Sequence, residues 1–490
     1  MTSTAQRLLS ASAAFFSQTD NPTTNNLIRS LVERSQNPQQ TFSQIVQFAQ
    51  DTRILVHSRV IPALDAFLSH KRTHGTSREK SFYSSVTRTA FIQRLIKNRP
   101  LTFFTHFDRT LLRDGTVPPA ADWERVGQDK EGKIKLESYL SYDEMELAAL
   151  LGVSSPTYFI NDGDRDNVAR IGKSGTFEET GVYVGLVGAR FERSEKMDSK
   201  HILISEKAST PENGYGPDGK HQNPKSYSSL QPFAELYLSQ PHFPTYTSAS
   251  STLSPKTYEP LPTRSPFTPS AIFNIPAYKS RIRIPLELLL FDANDRARLS
   301  SRKAFVHIVG LGLGVWRKSP TQYTYYLEAL SKILTSLPFP HISDIELAYF
   351  PDDSPPVAGA AHGQSIKSPI AENRKIRIHF TTRNPAAKLP TSDDGTERLL
   401  VASYAWDGNS FPGNEYWMGM VSASGDPAAV CCSLVGELQN GWVNEGLLER
   451  IWVCGGEGEG FLEMEDVGRG EAGGGIGSEE DTDVDGEEDK

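Results

Sequence analysis

The chain has 490 residues, of which 38% are hydrophobic and 10% aromatic, enough for one large domain with appendages or for two domains. No run of about 18 apolar residues predicts a transmembrane helix, and three cysteines without a CxxC spacing indicate neither a disulfide framework nor a zinc site. The formal charge of −9 comes from residues 463–490, whose twelve acidic and two basic residues leave the remainder near +1, so no general affinity for nucleic acid or anionic membranes is indicated.

Residues 1–100 are predicted to form a helical N-terminal region. Apolar residues recur at helical spacing in 26–34 and 42–67, and a third helix is predicted at 85–97. The first 18 residues are faintly like a mitochondrial presequence, but a capped amphipathic helix is the better interpretation. The cysteine usage indicates a reducing compartment, so we expect an intracellular protein of the cytoplasm or nucleus.

Residues 101–462 are predicted to form one α/β domain, a mixed sheet with helices on both faces, because strand-like and helix-like segments alternate. Strands are predicted near 156–160, 180–191, 305–309, 342–350, 375–380 and 399–405, helices at 143–151, 323–334 and 428–438, and a strand or helix end at 285–291. Residues 207–268 are rich in Ser, Thr, Pro, Gly and Tyr and are predicted to be a disordered insertion, and 463–490 a disordered acidic tail.

The loop WDGNSFPGNEYW, residues 406–417, carries the strongest functional signal. It follows the apolar strand LLVASYA, and strands of open α/β sheets present ligand-binding residues at their carboxyl ends. Two carboxylates and two amides are crowded between two tryptophans, which is costly unless they bind something. The polar residues are Asp407, Asn409, Asn414 and Glu415. The rings of Trp406 and Trp417 could form the walls of a pocket for a flat ligand. The alternative is a polar turn whose side chains bond their own backbone.

A second motif, VHIVGLGLGVW, places Gly310, Gly312 and Gly314 after a predicted strand. Glycines there let backbone N–H groups approach and cradle a phosphate ahead of a helix. The motif lacks the third glycine of a dinucleotide fingerprint and the lysine of a P-loop. A tight turn with close helix–strand packing is an equally good interpretation.

Three further acidic residues are weaker candidates. Asp426 in SGDP either caps the helix that follows or adds a carboxylate to the same pocket. Asp162 in INDGDRDN suits recognition of a ribose or a base, with an ordinary Asx turn as the alternative. Asp292 follows another apolar run. The eleven histidines form no HExxH pattern, and we expect neither a metal nor a cofactor.

Five joined motifs carry a family resemblance. They are PTYFINDG, GVYVGLVGARFE, IPLELLLFDAN, HIVGLGLGVW and YAWDGNSFPGNEYW. Together they resemble the atypical macrodomain family that includes the bacterial effector MavL, over about 100–205 and 270–455. The run DGNSFPGNE also resembles the catalytic loop of poly(ADP-ribose) glycohydrolases, although its Asp–Asn spacing is one residue shorter and the paired glutamates are absent. The glycine motif precedes this loop, the reverse of the usual macrodomain order, which is compatible with a permuted domain.

The resemblance implies an ADP-ribose pocket and hydrolysis of ADP-ribose from arginine side chains, with ADP-ribose or an ADP-ribosylated protein as the partner. Asp407 and Glu415, assisted by Asp426, would stabilise the oxocarbenium-like charge and deprotonate water. Asn409 and Asn414 would hold the distal ribose, and the glycine turn the diphosphate. Two alternatives remain: a non-catalytic ADP-ribose reader, and an interaction protein acting through its insertion and acidic tail.

Overall fold

The computed structural model describes residues 3–456 except 19–22, 105–106, 263–270, 393–394 and 424. The predicted acidic tail at 463–490 therefore lies outside the described residues. The helices are α1 Ser3–Phe16, α2 Ile28–Arg34, α3 Pro38–Gln50, α4 Ile61–His74, α5 Ser77–Tyr83, α6 Arg88–Lys97, α7 Tyr142–Ala148, α8 Asp198–Ile202, α9 Gly219–Gln222, α10 Pro224–Leu238, α11 Tyr246–Ser251, α12 Ile275–Leu299, α13 Gln322–Ser336, α14 Asp426–Cys432 and α15 Val435–Leu438.

The strands alternate with these helices along the chain. They are β1 Arg53–His57, β2 Thr102–Phe104, β3 Arg109–Leu111, β4 Gly152–Tyr158, β5 Thr180–Leu186, β6 Leu203–Ser205, β7 Tyr258–Pro260, β8 Ala271–Asn274, β9 Lys303–Val309, β10 Ile342–Ala348, β11 Arg377–Thr381, β12 Arg398–Ala405 and β13 Ile451–Cys454. Among the described residues no helix is both long and apolar enough to span a bilayer.

Eight strands form the main sheet in the order β11-β10-β9-β12-β5-β4-β1-β13. Strand β4 runs antiparallel to both of its neighbours, and every other adjacent pair is parallel. The carboxyl ends of β5, β12, β9 and β10 therefore lie side by side at one edge. The predicted mixed α/β sheet is confirmed.

Helices cover both faces of this sheet, as predicted. Ser154 and Ser155 are neighbours in β4 and so point to opposite faces. Ser154 Oγ donates a hydrogen bond of 2.7 Å to Asp292 Oδ2 on α12. Gln439 Nε2, just after α15, donates one of 2.9 Å to Ser155 Oγ. Helix α12 thus packs on one face and the α14–α15 segment on the other.

The N-terminal region is helical but not separate from the sheet. The single helix expected over 42–67 is instead α3, strand β1 and α4. All five residues of RILVH in β1 are buried, and β1 pairs with β4 and β13. A central strand buried on both faces has no alternation of apolar and polar residues, so its pattern merges with the flanking helices.

The predicted disordered insertion is wrong for the described residues 207–262. This segment contains α9, α10, α11 and β7, and α10 alone buries Leu230, Phe233 and Tyr237. Polar residues of this segment instead cap the amino ends of short helices. Asn223 caps α10 and Thr245 caps α11 through their side chains.

The apolar run at 285–291 lies in the middle of a helix rather than in a strand or at a helix end. Helix α12 has 25 residues and continues through Pro285. Leu286, Leu288, Leu289 and Leu290 are all fully buried. A helix buried all round shows no amphipathic period, which is why its sequence resembles a strand.

Candidate active site

Three loops meet at the carboxyl edge of the sheet. They follow the adjacent parallel strands β5, β12 and β9 and comprise residues 187–193, 406–418 and 310–316. A Cβ on Gly188 would lie 2.3 Å from the amide nitrogen of Gly312, so the first and third loops approach backbone to backbone. Gly408, at φ +74°, packs against the side chain of Val187, where a Cβ would lie 2.6 Å from Val187 Cγ2.

Asp407 organises the second of these loops. Its Oδ1 accepts hydrogen bonds from the backbone N–H of Asn409 (2.8 Å) and of Ser410 (3.1 Å), and from Ser410 Oγ (3.0 Å). The side chain is buried. This is the Asx-turn geometry that the sequence left as an alternative. Within the described part of the chain, Oδ2 has one hydrogen bond, from Ser410 Oγ at 3.2 Å.

Asp426 belongs to the same site and does not cap its helix. It is the first residue of α14, behind Gly425, and makes no cap hydrogen bond there. Its Oδ2 instead accepts from the backbone N–H groups of Gly413 and Asn414, each at 3.1 Å. The carboxylate therefore ties α14 to the far end of the Asp407 loop.

Asp407, Glu415 and Asp426 form one electrostatically coupled cluster. Burial is the largest effect that raises the pKa of each carboxyl group. The charge of Asp407 raises the pKa of Glu415 and of Asp426 further, and the pKa of Asp426 lies well above its ordinary value. The structure thus brings together the three predicted catalytic carboxylates, with Glu415 only half-buried.

Arg190 and Glu192, in the loop after β5, were not singled out from the sequence. Arg190 Nε and Nη2 donate to Glu192 Oε2 at 3.0 and 2.6 Å. The guanidinium lies 5.4 Å from the ring centroid of Phe103 and 5.2 Å from that of Trp316. Its charge lowers the pKa of Asp407 against the effect of burial. The sequence signal for Arg190 and Glu192 was their position, because VGARFE follows strand β5 just as WDGN follows strand β12.

Arg99 supports the loop from beneath. Its fully buried guanidinium lies 4.1 Å from the ring centroid of Trp406 and donates to the carbonyl of Gly408. Burial lowers the pKa of Arg99 to about 9, and the charge of Asp407 opposes this. The second positive charge near Asp407 is therefore part of the scaffold.

The two tryptophans are not ligand walls. Trp406 is buried, donates from Nε1 to the carbonyl of Ser410 at 3.0 Å, and has Arg99 over its ring. Trp417 is buried against α1, where its ring stacks on Phe16 at 5.5 Å. The expectation of aromatic walls is corrected: both indoles complete the core and fix the two ends of the loop.

The two asparagines have different surroundings. Asn414 Oδ1 accepts from the backbone N–H of Phe103 at 2.9 Å, so this amide holds β2 against the loop and is not placed to bind ribose. Asn409 is fully buried, and within the part of the chain that the structure describes its Oδ1 accepts no hydrogen bond. Arg190 Nη1 is likewise buried, and it donates no hydrogen bond within the described residues. An acceptor and a donor left open beside Asp407 suit a hydroxyl-bearing ligand.

The glycine turn is present, but the expected helix does not follow it directly. Helix α13 begins at Gln322, eight residues beyond Gly314, so the amino terminus of α13 does not directly follow the turn. Gly312 has φ +75° and touches Ala189. A Cβ on Gly314 would meet nothing within 4 Å. The turn can therefore offer an anion backbone N–H groups next to open space, but not the added field of a helix dipole.

Asp292 and Asp162 lie outside this cluster. Asp292 is fully buried on α12 and pairs with Arg53 at 2.8 Å and Arg296 at 3.1 Å, near the amino end of β1, so its expected ligand role is corrected to a structural one. Asp162 accepts from Asn167 at 2.6 Å and Asn384 at 2.9 Å and holds its own loop in the predicted polar turn.

Comparison with known proteins agrees with the resemblance in the motifs. Residues 14–455 match the family described as ADP-ribosylhydrolase MavL-like. The chain is 35% identical over 398 residues to ADP-ribosylarginine hydrolase CG3568 of Drosophila melanogaster, covering 80% of this chain and 75% of that protein. It is 32% identical over 396 residues to ADP-ribosylarginine hydrolase CG2909 of the same organism, covering 80% and 76%.

Proposed function

Because the chain belongs to the MavL-like ADP-ribosylhydrolase family, we propose that it hydrolyses the N-glycosidic bond between ADP-ribose and arginine side chains of modified proteins. The observation that carries this proposal is the coupled cluster of Asp407, Glu415 and Asp426 at the carboxyl ends of parallel strands. Both relatives are named for this activity, and each is matched over four-fifths of this chain.

Asp407 stabilises the positive charge that develops on the ribose as the bond to the guanidine nitrogen breaks. Two backbone N–H groups and the charge of Arg190 favour the ionised form of Asp407, while burial opposes it. A carboxylate in a buried site acts on an oxocarbenium-like centre much more strongly than in water. The bonding electrons leave with the guanidine nitrogen of the substrate.

Glu415 activates water in this assignment. It is the most accessible of the three carboxylates, and its raised pKa makes it a stronger base than an exposed glutamate. The water oxygen bonds to the anomeric carbon, and the water proton passes through Glu415 to the departing guanidine. Burial and the charge of Asp407 hold the pKa of Asp426 well above its ordinary value, and its side chain holds Gly413 and Asn414 in place.

The surroundings of Glu415 favour an arginine linkage. The charge of Glu192 adds to that of Asp407 in raising the pKa of Glu415. A guanidinium between Glu192 and Glu415 relieves this repulsion and matches carboxylates in a fork geometry. The neutral O-glycosidic linkage to serine and the ester linkage to glutamate offer no such cation.

Asn409, Arg190 and the glycine turn complete the binding site. The open Oδ1 of Asn409 and the open Nη1 of Arg190 take the distal ribose hydroxyls, and the backbone around Gly312 and Gly314 takes the diphosphate. A relation to macrodomains and poly(ADP-ribose) glycohydrolases is part of the same proposal. It is supported by an Asp–Asn loop and a glycine turn that follow neighbouring parallel strands of the sheet.

The test uses purified protein and proteins modified with ADP-ribose through arginine, serine or glutamate. We expect release of ADP-ribose from the arginine linkage, at least tenfold faster than from the other two. Calorimetric binding of ADP-ribose without release from any linkage would identify a reader instead of a hydrolase and overturn the proposal.

A further inference from the structure

A cavity of about 620 Å³ lies at the edge of the main sheet opposite the candidate active site, and we call it the amino-edge cavity. Its lining includes Arg53 and Thr180, the first residues of the parallel strands β1 and β5, and Tyr158, the last residue of the antiparallel strand β4. Leu399, near the start of the eight-residue strand β12, also lines it. At about 3.3 Å per residue, β12 places the cavity about 25 Å from the loop that carries Asp407.

Arginine dominates the charged lining of the amino-edge cavity. The lining contains four arginines and one aspartate, which are Arg53, Arg296, Arg302, Arg450 and Asp51. Strands β1 and β13 are parallel, with Ile54 opposite Ile451, so the residues that precede this pair, Arg53 and Arg450, stand side by side. Like charges at neighbouring positions of a sheet repel each other, and a bound anion would relieve that repulsion.

Acidic residues of α12 compensate only the two buried arginines. Arg53 pairs with Asp292 at 2.8 Å and with Asp295 at 2.9 Å, and Arg296 pairs with Asp292 at 3.1 Å. Burial, followed by the charge of Arg53, still lowers the pKa of Arg296 to about 10. The positive charge is therefore incompletely balanced even where carboxylates are present.

Three of the arginines keep donors for a ligand. Arg296 is only 8% exposed, and it donates from Nε to Ser154 Oγ at 3.0 Å and from Nη2 to the carbonyl of Asp51 at 3.1 Å. Within the described ranges its Nη1 donates no hydrogen bond, and neither Arg302 nor Arg450 forms an ion pair there. Guanidinium groups in this state suit an anion with several acceptor oxygens, of which phosphate is the best match to their fork geometry.

Apolar and aromatic side chains also line the amino-edge cavity. The rings of Phe48 and Tyr158 meet edge to face, with centroids 5.2 Å apart. Leu299, at the end of α12, lines the cavity and is 64% exposed. The volume falls in the range of about 300–1,000 Å³ that is typical of small-molecule sites. A ligand that uses both parts of this lining has an apolar body as well as a phosphate.

We propose that the amino-edge cavity binds a small organic phosphate with an aromatic body. Arg296, Arg302 and Arg450 hold the phosphate, and the body packs against Phe48 and Tyr158. The cavity shares no residue with the carboxylate cluster and lies at the other end of the strands. The proposal is therefore independent of the proposed function, and the two sites can be occupied at the same time.

The experiment uses phenyl phosphate as the probe, because it has a phosphate and an aromatic ring but no ribose. Calorimetry with the full chain should show one phenyl phosphate bound per chain, with the same Kd in the absence and presence of saturating ADP-ribose. Inorganic phosphate should bind about tenfold or more weakly, the order expected when no ring is buried. Inorganic phosphate that binds as tightly as phenyl phosphate would refute the aromatic body of the ligand.

The variants Arg302→Gln and Arg450→Gln test the position of the site. Each should raise the Kd for phenyl phosphate about tenfold, the order expected for loss of one charge-assisted contact, without lowering the melting temperature. Arg29→Gln is the matched control, because Arg29 lies on α2 with its side chain 82% exposed and outside the cavity lining. It removes the same charge and should bind the probe as wild type does.

Three results would overturn the proposal. They are the absence of saturable phenyl phosphate binding, a wild-type Kd in both cavity variants, and displacement of phenyl phosphate by ADP-ribose. The last result would place the probe in the candidate active site instead of the amino-edge cavity.

Discussion

The positive charge of Arg190 is the strongest effect that lowers the pKa of Asp407, against the larger effect of burial. These two residues follow adjacent parallel strands, β5 and β12. A buried carboxylate that must be ionised needs such a partner, because an isolated buried charge would take up a proton. The pair therefore links the geometry of the sheet edge to the protonation state of the candidate catalytic residue.

Replacing Arg190 with methionine should shift the pH dependence of activity. Without the positive charge, only the hydrogen bonds from Asn409 and Ser410 still oppose burial, so the pKa of Asp407 rises and the ionised form requires a higher pH. The acid limb of the kcat/KM profile should move to higher pH, and kcat/KM at neutral pH should fall at least tenfold. Arg190→Lys keeps the charge and should restore the position of the limb. An unshifted limb in Arg190→Met would show that Arg190 does not control this ionisation.

Alanine at Gly314 and alanine at Gly312 should have different effects. The Gly314 Cβ enters open space, so stability should change by no more than about 0.5 kcal/mol, while ADP-ribose binding weakens because the methyl group occupies the place proposed for the diphosphate. Gly312 has φ +75° and an added Cβ would lie 2.9 Å from the carbonyl oxygen of Ala189, so Gly312→Ala should cost about 1–2 kcal/mol of stability. Unchanged ADP-ribose affinity in Gly314→Ala would remove the diphosphate from this turn.

Trp417→Ala should act on stability and not directly on the ligand. The indole packs on Phe15 and Phe16 of α1, and truncating a buried aromatic residue costs about 3–5 kcal/mol. Below its lowered melting temperature the variant should bind ADP-ribose within about threefold of wild type. Loss of binding by a variant that is still folded would restore the interpretation of Trp417 as a ligand wall.

Glu437 should make stability depend on pH. It is buried under α1, accepts hydrogen bonds from Ser12 Oγ and from the backbone N–H of Ile28, and burial raises its pKa to about 7. A carboxyl group whose pKa is higher in the folded state contributes stability that is fully present below its unfolded pKa of about 4.5 and is lost as the pH rises through about 7.

The variant Glu437→Gln keeps the acceptor but cannot ionise. Its stability relative to wild type should therefore increase between pH 5 and pH 8, by up to about 3 kcal/mol for a shift of this size. Denaturant unfolding at the two pH values measures it. A difference between variant and wild type that does not change with pH would show that Glu437 ionises normally.

The sequence predicted the elements whose patterns are local and missed those set by distant neighbours. The helix predicted at 143–151 corresponds to α7, and the capping box of Ser141 and Glu144 that begins it makes its hydrogen bonds within four residues. Strand β1 and helix α12 were misassigned because both are buried on all sides. Strands and helices far along the chain determine which faces of β1 and α12 are buried. No local repeat of apolar residues shows this.

The site was predictable only where its residues follow one strand. Asp407 and Glu415 were identified from the loop after β12, and the structure places Asp426 with them. The partners Arg190 and Glu192 come from the loop after β5, more than 200 residues earlier, and reach the site only because β5 and β12 are neighbours in the sheet. The tryptophans were misinterpreted because sequence alone does not show that α1 and Arg99 cover them.

The variant Asp407→Asn tests the proposed chemistry most directly. Asparagine retains the Oδ1 that accepts from Asn409 and Ser410, so the loop should keep its shape, while the negative charge is lost. We predict that ADP-ribose still binds within about threefold of wild type and that kcat for release from arginine-modified protein falls at least a hundredfold. A folded Asp407→Asn variant that releases ADP-ribose at the wild-type rate would contradict the account.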